Sequence, residues 1–230
     1  MKADHHGAIV GDMLAPMNAL LRVILAILTV IVLAARAAAH PHVWVTMKSE
    51  LVYAPDGRVT GVSHHWAFDE MFSAFAVQGI QSSVEGQFTR EDLAPLAKIN
   101  VNAIKEYKYF TYATADGKKV AFADPPPGYW LDYKDSILVL NFTLPFKHPV
   151  KAKRLKVEVY DPTFFIDFEY MKESPVELVG APKGCKFNVV LPPAIAAMQS
   201  QSLGEQFFNA LTAAQNWGSQ FANVILVDCP

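Results

Sequence analysis

The sequence predicts an α+β domain that is mainly antiparallel β and sandwich-like, with about three inserted helices. Short runs rich in Val, Ile, Thr and aromatic residues recur along the chain, separated by turn-forming Pro, Asp and Gly residues. Three other segments have the apolar spacing of amphipathic helices. Strands and helices do not alternate regularly, so the pattern argues against a parallel sheet built from βαβ units.

Residues 1–39 have the pattern of a secretory signal peptide. The apolar run at 23–35 is shorter than the stretch of about 20 residues that a membrane-spanning helix needs. Three alanines at 37–39 then satisfy the small-x-small rule for cleavage, and a second candidate site lies two residues earlier. We expect cleavage close to His40 and a single periplasmic domain over residues 40–230. The alternative is an uncleaved N-terminal anchor, which also leaves that domain outside the cytoplasm.

The first two β-like runs, Val43–Tyr53 and Arg58–Phe68, flank a Pro-Asp-Gly turn signal and predict a β-hairpin. If Ala54 pairs with Arg58 across the turn, Trp44 faces Phe68. Because side chains alternate along a strand, this register places five side chains on one face: His42, Trp44, His64, Trp66 and Phe68. His65 and Asp69 then lie on the other face, and a one-residue slip reverses the assignment.

Three helices are predicted between and after the strands. Asp69 is a suitable N-cap for the first, whose apolar residues lie at 71–76. The second runs from Thr89 to about Tyr107 and begins with an N-cap and an acidic first turn. The third covers residues 203–214. The remaining strands are predicted at Tyr109–Ala113, Lys119–Ala123, Tyr129–Tyr133, Ile137–Leu144, Leu155–Tyr160, Phe164–Phe168, Phe187–Leu191 and Asn223–Val227.

Cysteine content and charge limit the functional classes. In an oxidising compartment, the pair Cys185 and Cys229 predicts a disulfide, and the Cys-x-x-Cys spacing of a thiol metal site or redox pair is absent. The 20 basic and 22 acidic residues give a net charge of −2, which does not indicate nucleic-acid binding. No Ser-His-Asp order, glycine-rich phosphate loop or pair of catalytic carboxylates stands out, so we expect no enzyme activity.

The strongest candidate for chemistry is the run from His40 to Trp44. Cleavage before His40 leaves a free α-amine beside the imidazoles of His40 and His42, and such donors suit Zn, Ni, Co and Cu ions. Without that amine, the site relies on imidazoles and carboxylates alone. Asp69 or Glu70 lies at the same end of the hairpin as His42 and completes the predicted ligand set.

Three further residues have weaker signals as ligands or as their supports. His64 lies about six residues along the hairpin, roughly 20 Å from His42, and joins the metal ligands only if the strands bend. His65 and Asp161 are candidates to support a ligand through hydrogen bonds. The alternative is structural, because strand histidines commonly pack and hydrogen-bond, and an Asp before Pro is typical of a turn at a strand end.

Four segments together resemble one bacterial family: His40–Trp44, residues 64–73, Tyr160–Phe165 and residues 221–230. It is a domain-of-unknown-function family often labelled "ABC-type uncharacterized transport system, periplasmic component". The resemblance spans nearly the whole chain after the leader. Members of that family tend to be encoded beside nickel/cobalt-exporter-like permeases. The resemblance therefore implies a periplasmic accessory role in transition-metal transport, with a membrane permease or metal exporter as the partner.

These observations lead to three functional hypotheses. The first is a periplasmic accessory of a transport system that binds Zn, Ni, Co or Cu through His40 and His42. The second is a metal-independent interaction module that docks on a membrane permease. The third is an enzyme with a copper brace at His40, which needs a second histidine nitrogen at about 2 Å from the same metal.

Overall fold

Strands are the commonest regular structure in this computed structural model, which describes residues 42–85, 87–193 and 217–230. Within those ranges the strands are β1 (Val43–Tyr53), β2 (Val59–Phe68), β3 (Thr111–Ala115), β4 (Lys118–Val120), β5 (Trp130–Lys134), β6 (Ile137–Val150), β7 (Arg154–Val159), β8 (Ile166–Tyr170), β9 (Val176–Val179), β10 (Lys186–Val190) and β11 (Asn223–Asp228). Strand β9 was not predicted. The α+β class with a sandwich-like arrangement of sheets is confirmed.

The strands form two sheets. The first has the order β5-β6-β2-β1-β8, with β9 also paired to β1, and the second has the order β10-β11-β7-β3-β4. Pairing is antiparallel except that β8 and β9 run parallel to β1. After β4 the chain crosses to the first sheet, where it pairs briefly with β6. The Lys147 N–H donates to the Ala121 carbonyl at 2.9 Å, and the Ala123 N–H donates to the Pro145 carbonyl at 2.8 Å.

Two α-helices occur in the described ranges, α1 (Glu70–Ala76) and α2 (Arg90–Lys105). Both predicted N-caps are confirmed: Asp69 accepts the Phe72 N–H at 2.9 Å, and Thr89 forms a reciprocal capping box with Asp92. Neither helix is long and apolar enough to cross a membrane. The third predicted helix, over residues 203–214, lies outside the described residues.

One apolar core joins the inner faces of the two sheets. Alternate residues of β2, β6, β7 and β11 are buried, as expected for sheets with one face towards a core. Trp66 is 1% exposed, and its ring lies 4.9 Å from the rings of both Phe142 and Phe168. Helix α2 adds Leu93, Ala97 and Val101, which are buried at the helical spacing of four residues.

The hairpin register differs by one residue from the predicted one. Ala54 does pair with Arg58, since its N–H donates to the Arg58 carbonyl at 2.8 Å. Tyr53 then faces Val59, but Val52 faces Gly61, so Thr60 forms a β-bulge. Beyond the bulge Val45 faces Phe68, and Trp44, predicted to share a face with Trp66, lies on the outer face and is 48% exposed. The predicted shared face was therefore wrong for Trp44.

The predicted disulfide between Cys185 and Cys229 is confirmed. It fastens the start of β10 to the end of β11 and closes a loop of 44 residues. In the chain-entropy model a loop of that size stabilises the fold by about 3–4 kcal/mol. Disulfides are typical of oxidising compartments, so the bond is compatible with the predicted export.

The close contact of Gly61 with β6 generates a prediction. A Cβ atom at this position would lie 2.5 Å from the Leu144 carbonyl oxygen and 2.8 Å from the Pro145 Cα. We expect Gly61→Ala to lower the free energy of unfolding by about 1–3 kcal/mol, because the β2–β6 backbones have to separate. Urea unfolding measures the change. The control Ser63→Ala, on the outer face of the same strand, is expected to cost less than about 1 kcal/mol, and equal losses in the two variants would contradict this account.

Candidate functional site

The N-terminal end of β1 brings His42 and Asp69 to the same end of the first sheet. The His42 N–H donates to the Phe165 carbonyl at 2.9 Å, and the imidazole lies 4.9 Å from the Phe165 ring. Two residues further on, Trp44 and Asp69 are joined twice, because the Asp69 N–H donates to the Trp44 carbonyl at 2.9 Å and the Trp44 N–H donates to Asp69 Oδ2 at 3.0 Å. The strand end is thereby fixed against the start of α1.

The two predicted carboxylates differ in their availability. Asp69 uses both oxygens to hold backbone N–H groups, those of Trp44 and Phe72. Glu70 is exposed in the first turn of α1, and its side chain has no hydrogen bond or ion pair with any residue that the structure describes. Because a metal ion competes more easily for a free carboxylate than for a capping one, Glu70 is the better candidate ligand.

A third carboxylate, Asp167, also lies at this end, and no sequence pattern singled it out. It occupies the position opposite Trp44 in β8. Burial, and then the charge of Glu169, raise the pKa of Asp167 to about 6. Only the β1–β8 pairing reveals its position, since the two strands are more than 100 residues apart in the sequence.

The proposed ligand set remains a prediction. His40 lies outside the described residues. Within 42–85, 87–193 and 217–230, no three His, Cys, Asp or Glu side chains are grouped so as to hold a metal ion. The set of His40, His42 and Glu70 or Asp69 therefore depends in part on a residue that the structure does not describe.

His64 lies in the core and not at the end of the hairpin. Its side chain is fully buried, and its ring lies 5.2 Å from Phe142 and 5.4 Å from Trp66. Burial, with a smaller contribution from the neighbouring His65, lowers the pKa of His64 to about 3, so the imidazole is neutral at physiological pH. Both ring nitrogens are also occupied by hydroxyl groups, so the geometry assigns His64 a structural role and corrects its place among the metal ligands.

A hydrogen-bond chain of defined polarity passes through His64. The Thr111 hydroxyl donates to the Tyr109 carbonyl at 2.8 Å, so its oxygen accepts from His64 Nε2–H at 3.2 Å. The other ring nitrogen, Nδ1, then accepts from the Ser49 hydroxyl at 3.0 Å. Ser49 in turn lies 3.3 Å from the Tyr170 hydroxyl. The chain connects β1, β2 and β8 of the first sheet with β3 of the second.

The backbone makes a left-handed turn directly before Thr111, at one end of this hydrogen-bond chain. Lys108, Tyr109 and Phe110 have φ angles of 56°, 54° and 51°. Such a conformation costs about 1–2 kcal/mol for each non-glycine residue. Two hydrogen bonds and one buried side chain offset this cost. The Thr111 hydroxyl donates to the Tyr109 carbonyl, and the Tyr109 hydroxyl donates to Asp124 at 2.8 Å. The Phe110 side chain is buried, at 3% exposure.

This turn forms one wall of a cleft of about 920 Å³ that the sequence did not predict. Four tyrosines line it: Tyr107, Tyr109, Tyr112 and Tyr160. The Tyr112 and Tyr160 rings stack at 4.6 Å, and the Lys108 ammonium lies 5.9 Å from the Tyr112 ring centre. Burial raises the pKa of the Tyr109 and Tyr112 hydroxyls, so both stay protonated at neutral pH. The tyrosines are spread over 54 positions of the sequence, and only the sheet pairing gathers them.

His65 faces away from His64, on the outer face of the first sheet. Its Nδ1 lies 2.6 Å from the Asn141 side-chain oxygen, and the Asn141 amide nitrogen donates to Asp132 at 3.1 Å. This arrangement makes His65 Nδ1 the donor. Its Nε2 lies 3.6 Å from Glu50. The contacts of His65 thus belong to a polar network on the sheet surface, and none of them reaches His42.

Asp161 organises the loop before β8. One oxygen accepts from the N–H and the hydroxyl of Thr163, both at 2.8 Å, and the other accepts from the N–H groups of Phe165 and Ile166, both at 3.0 Å. None of these bonds goes to a histidine. Asp161 nevertheless positions the Phe165 carbonyl that holds the His42 backbone, so its support of the candidate site is indirect.

A family model described as a protein of unknown function, DUF1007, matches residues 25–229. This chain belongs to the DUF1007 family. The match confirms the family resemblance predicted from the sequence motifs. An uncharacterized protein of Haemophilus influenzae is 23% identical over 199 residues, which cover 83% of this chain and 91% of that protein. An uncharacterized 15.5 kDa protein of Spirochaeta aurantia is 32% identical over 94 residues, which cover 40% of this chain and 66% of that protein.

The neutral, buried His64 generates a prediction about acid stability in this DUF1007 protein. Its folded pKa of about 3 is below the ordinary value of 6.5, so the unfolded chain binds the proton more readily. The stability that the neutral His64 contributes is fully present above pH 6.5. As the pH falls from 6.5 towards 3, protonation of His64 in the unfolded chain lowers the free energy of unfolding by about 1.4 kcal/mol for each pH unit.

Urea unfolding between pH 5 and pH 8 tests this account, with His64→Asn as the variant and the exposed His148→Asn as the control. The slope of stability against pH should become shallower in the first variant only. If His64→Asn does not fold, the imidazole NMR signals of the wild-type protein give the answer. A His64 ring that titrates near pH 6.5 in the folded protein would contradict it.

Proposed function

We propose that this DUF1007 protein is an exported, periplasmic accessory component of a transport system that binds a transition-metal ion. The ion is Zn, Ni, Co or Cu, held by His40 and His42 with Glu70 or Asp69, and exchanged with a membrane permease or metal exporter. The observation that carries the proposal is the anchoring of His42 at the strand end beside Asp69 and Glu70. His64 is not part of the proposed site.

The chemistry of this strand end supports metal binding. A neutral imidazole and an exposed carboxylate are common ligands of Zn, Ni, Co and Cu ions. The bonds of the His42 backbone to Phe165, and of Trp44 to Asp69, hold the backbone of the strand end and the start of α1 in place, which lowers the conformational entropy lost on binding. His40 lies only two residues before His42 in the sequence, so its imidazole is within reach of the same ion.

Equilibrium dialysis of the secreted protein against each of the four metals tests the proposal. We expect binding of one ion, weakened by at least about tenfold in the His40→Ala, His42→Ala double variant and less in Glu70→Gln. His148→Ala, which removes an exposed histidine elsewhere on the surface, is the matched control and should bind like the wild type. Equal affinity in the double variant and the wild type would refute the proposed ligands. Mass spectrometry of the secreted chain shows whether the α-amine belongs to His40.

A second candidate function, metal-independent docking on a membrane permease, is favoured by the apolar surface of α1. Met71 and Phe75 are 68% and 70% exposed and lie one helical turn apart on the same face of α1. Trp44 and Phe165, at the adjoining strand end, are 48% and 46% exposed. Large apolar side chains that remain exposed together are typical of interaction sites.

Capture of a co-expressed metal-exporter-like permease separates the two functions. If docking is independent of metal, Met71→Ser with Phe75→Ser should reduce capture by at least about tenfold, while a chelator leaves wild-type capture unchanged. The control pair Val190→Ser and Leu191→Ser, at the exposed end of β10, should capture normally. Capture that a chelator abolishes would instead favour the metal-dependent function.

A further inference from the structure

A cleft of about 610 Å³ lies where the β3–β4 hairpin meets the end of β6. We propose that this basic cleft, lined by Lys118, Lys119, Lys147 and Lys151, is a binding site for the phosphate groups of a multiply charged anion. The inference is independent of the proposed function. The metal site lies at the Ile137 end of β6, whereas the basic cleft lies at the Val150 end, about 30 Å along the sheet.

The four lysines are not held in ion pairs by the described part of the protein, although the charge of Lys147 contributes to the lowered pKa of Asp124. None of them forms an ion pair with a carboxylate of a described residue, whereas Lys48, Lys105 and Lys156 each do. The whole chain has a net charge of −2. The positive charge of the basic cleft is therefore a local feature that opposes the overall charge of the protein.

Asp116, the one acidic residue among the described residues that line the basic cleft, is already committed to backbone groups. Its carboxylate accepts the Arg154 N–H at 2.8 Å and the Lys153 N–H at 3.1 Å, and these bonds lower the pKa of Asp116. Its own N–H donates to the Arg154 carbonyl at 2.8 Å. Asp116 thus fastens the β3–β4 turn to the β6–β7 turn, next to the strands β4 and β6 that supply Lys118, Lys119 and Lys147.

The walls of the basic cleft come from both sheets. Lys118 and Lys119 belong to β4, at the edge of the second sheet. Lys147 belongs to β6, in the first sheet, and its N–H is bonded to the Ala121 carbonyl just after β4. Lysines on an edge strand commonly prevent aggregation, which is a sufficient reason for the β4 pair. That reason does not extend to Lys147, in β6 of the first sheet, or to Lys151, in the turn after β6, and both line the same cleft.

The residue type and the size of the basic cleft indicate the class of ligand. A lysine ammonium is a compact charge with three donors and binds phosphate oxygens without a fixed bidentate geometry. Four of them balance an anion with several negative charges, such as a diphosphate group. The volume of about 610 Å³ lies within the range of small-molecule sites, whereas a flat membrane surface requires no cleft. Because the lysines are exposed, binding should weaken as salt is added.

Isothermal titration of the secreted protein with sodium pyrophosphate at low ionic strength tests the proposal. We expect saturable binding that weakens by at least about tenfold in the quadruple variant Lys118→Gln, Lys119→Gln, Lys147→Gln, Lys151→Gln. The matched control changes four exposed lysines elsewhere, Lys134→Gln, Lys172→Gln, Lys183→Gln and Lys186→Gln, and alters the net charge equally. Thermal unfolding verifies that both variants fold, which is expected because all eight side chains are exposed.

Flotation with phosphatidylglycerol vesicles, compared with phosphatidylcholine vesicles, identifies the source of the phosphate. Flotation that the cleft variant loses and the control variant keeps would support the cleft with a lipid headgroup as its ligand. Pyrophosphate binding without flotation would support the cleft with a soluble ligand. An equal loss of binding in the two quadruple variants, or no saturable binding by the wild-type protein to either probe, would overturn the proposal.

Discussion

His64 lies between the two sheets, where a charged imidazole would lack solvation, so the ring is neutral and its two nitrogens are paired with hydroxyl groups. One hydroxyl belongs to Ser49 in the first sheet and the other to Thr111 in the second. Because Thr111 also holds the Tyr109 carbonyl, the same chain maintains the left-handed turn that forms a wall of the tyrosine-lined cleft. The packing of the two sheets and the shape of this surface therefore depend on one buried polar group.

The two proposed binding sites lie near opposite ends of the first sheet. At one end His42, Glu70 and the exposed apolar residues of α1 lie together. At the other end the lysines of the basic cleft surround an acidic side chain that is bonded to backbone groups. Antiparallel pairing of β2 with β6 keeps the ends about 30 Å apart. The proposed cation and anion sites are therefore too far apart to compete directly.

The elements that were predicted correctly are those with local signals. Asp69 and Thr89 cap their helices through bonds that reach only three residues, and the Pro-Asp-Gly turn closes its hairpin locally. The hairpin register was not predictable in this way, because the bulge at Thr60 accompanies the close approach of Gly61 to β6. The basic cleft was also not predicted, because it too depends on contacts between distant segments. Its lysines come from segments about 30 residues apart in the sequence.

The sequence by itself determined most strand and helix positions, the cysteine pair, and the family, because each depends on residue types at short range or on the residue pattern that the family model matches. Strand alternation also requires that His64 and His65 point to opposite faces. Which of the two enters the core was decided only by the tertiary structure. The bulge and the pairing with β6 turn His64 inward, where burial removes it from the candidate ligands, and leave His65 on the outer surface beside Asn141.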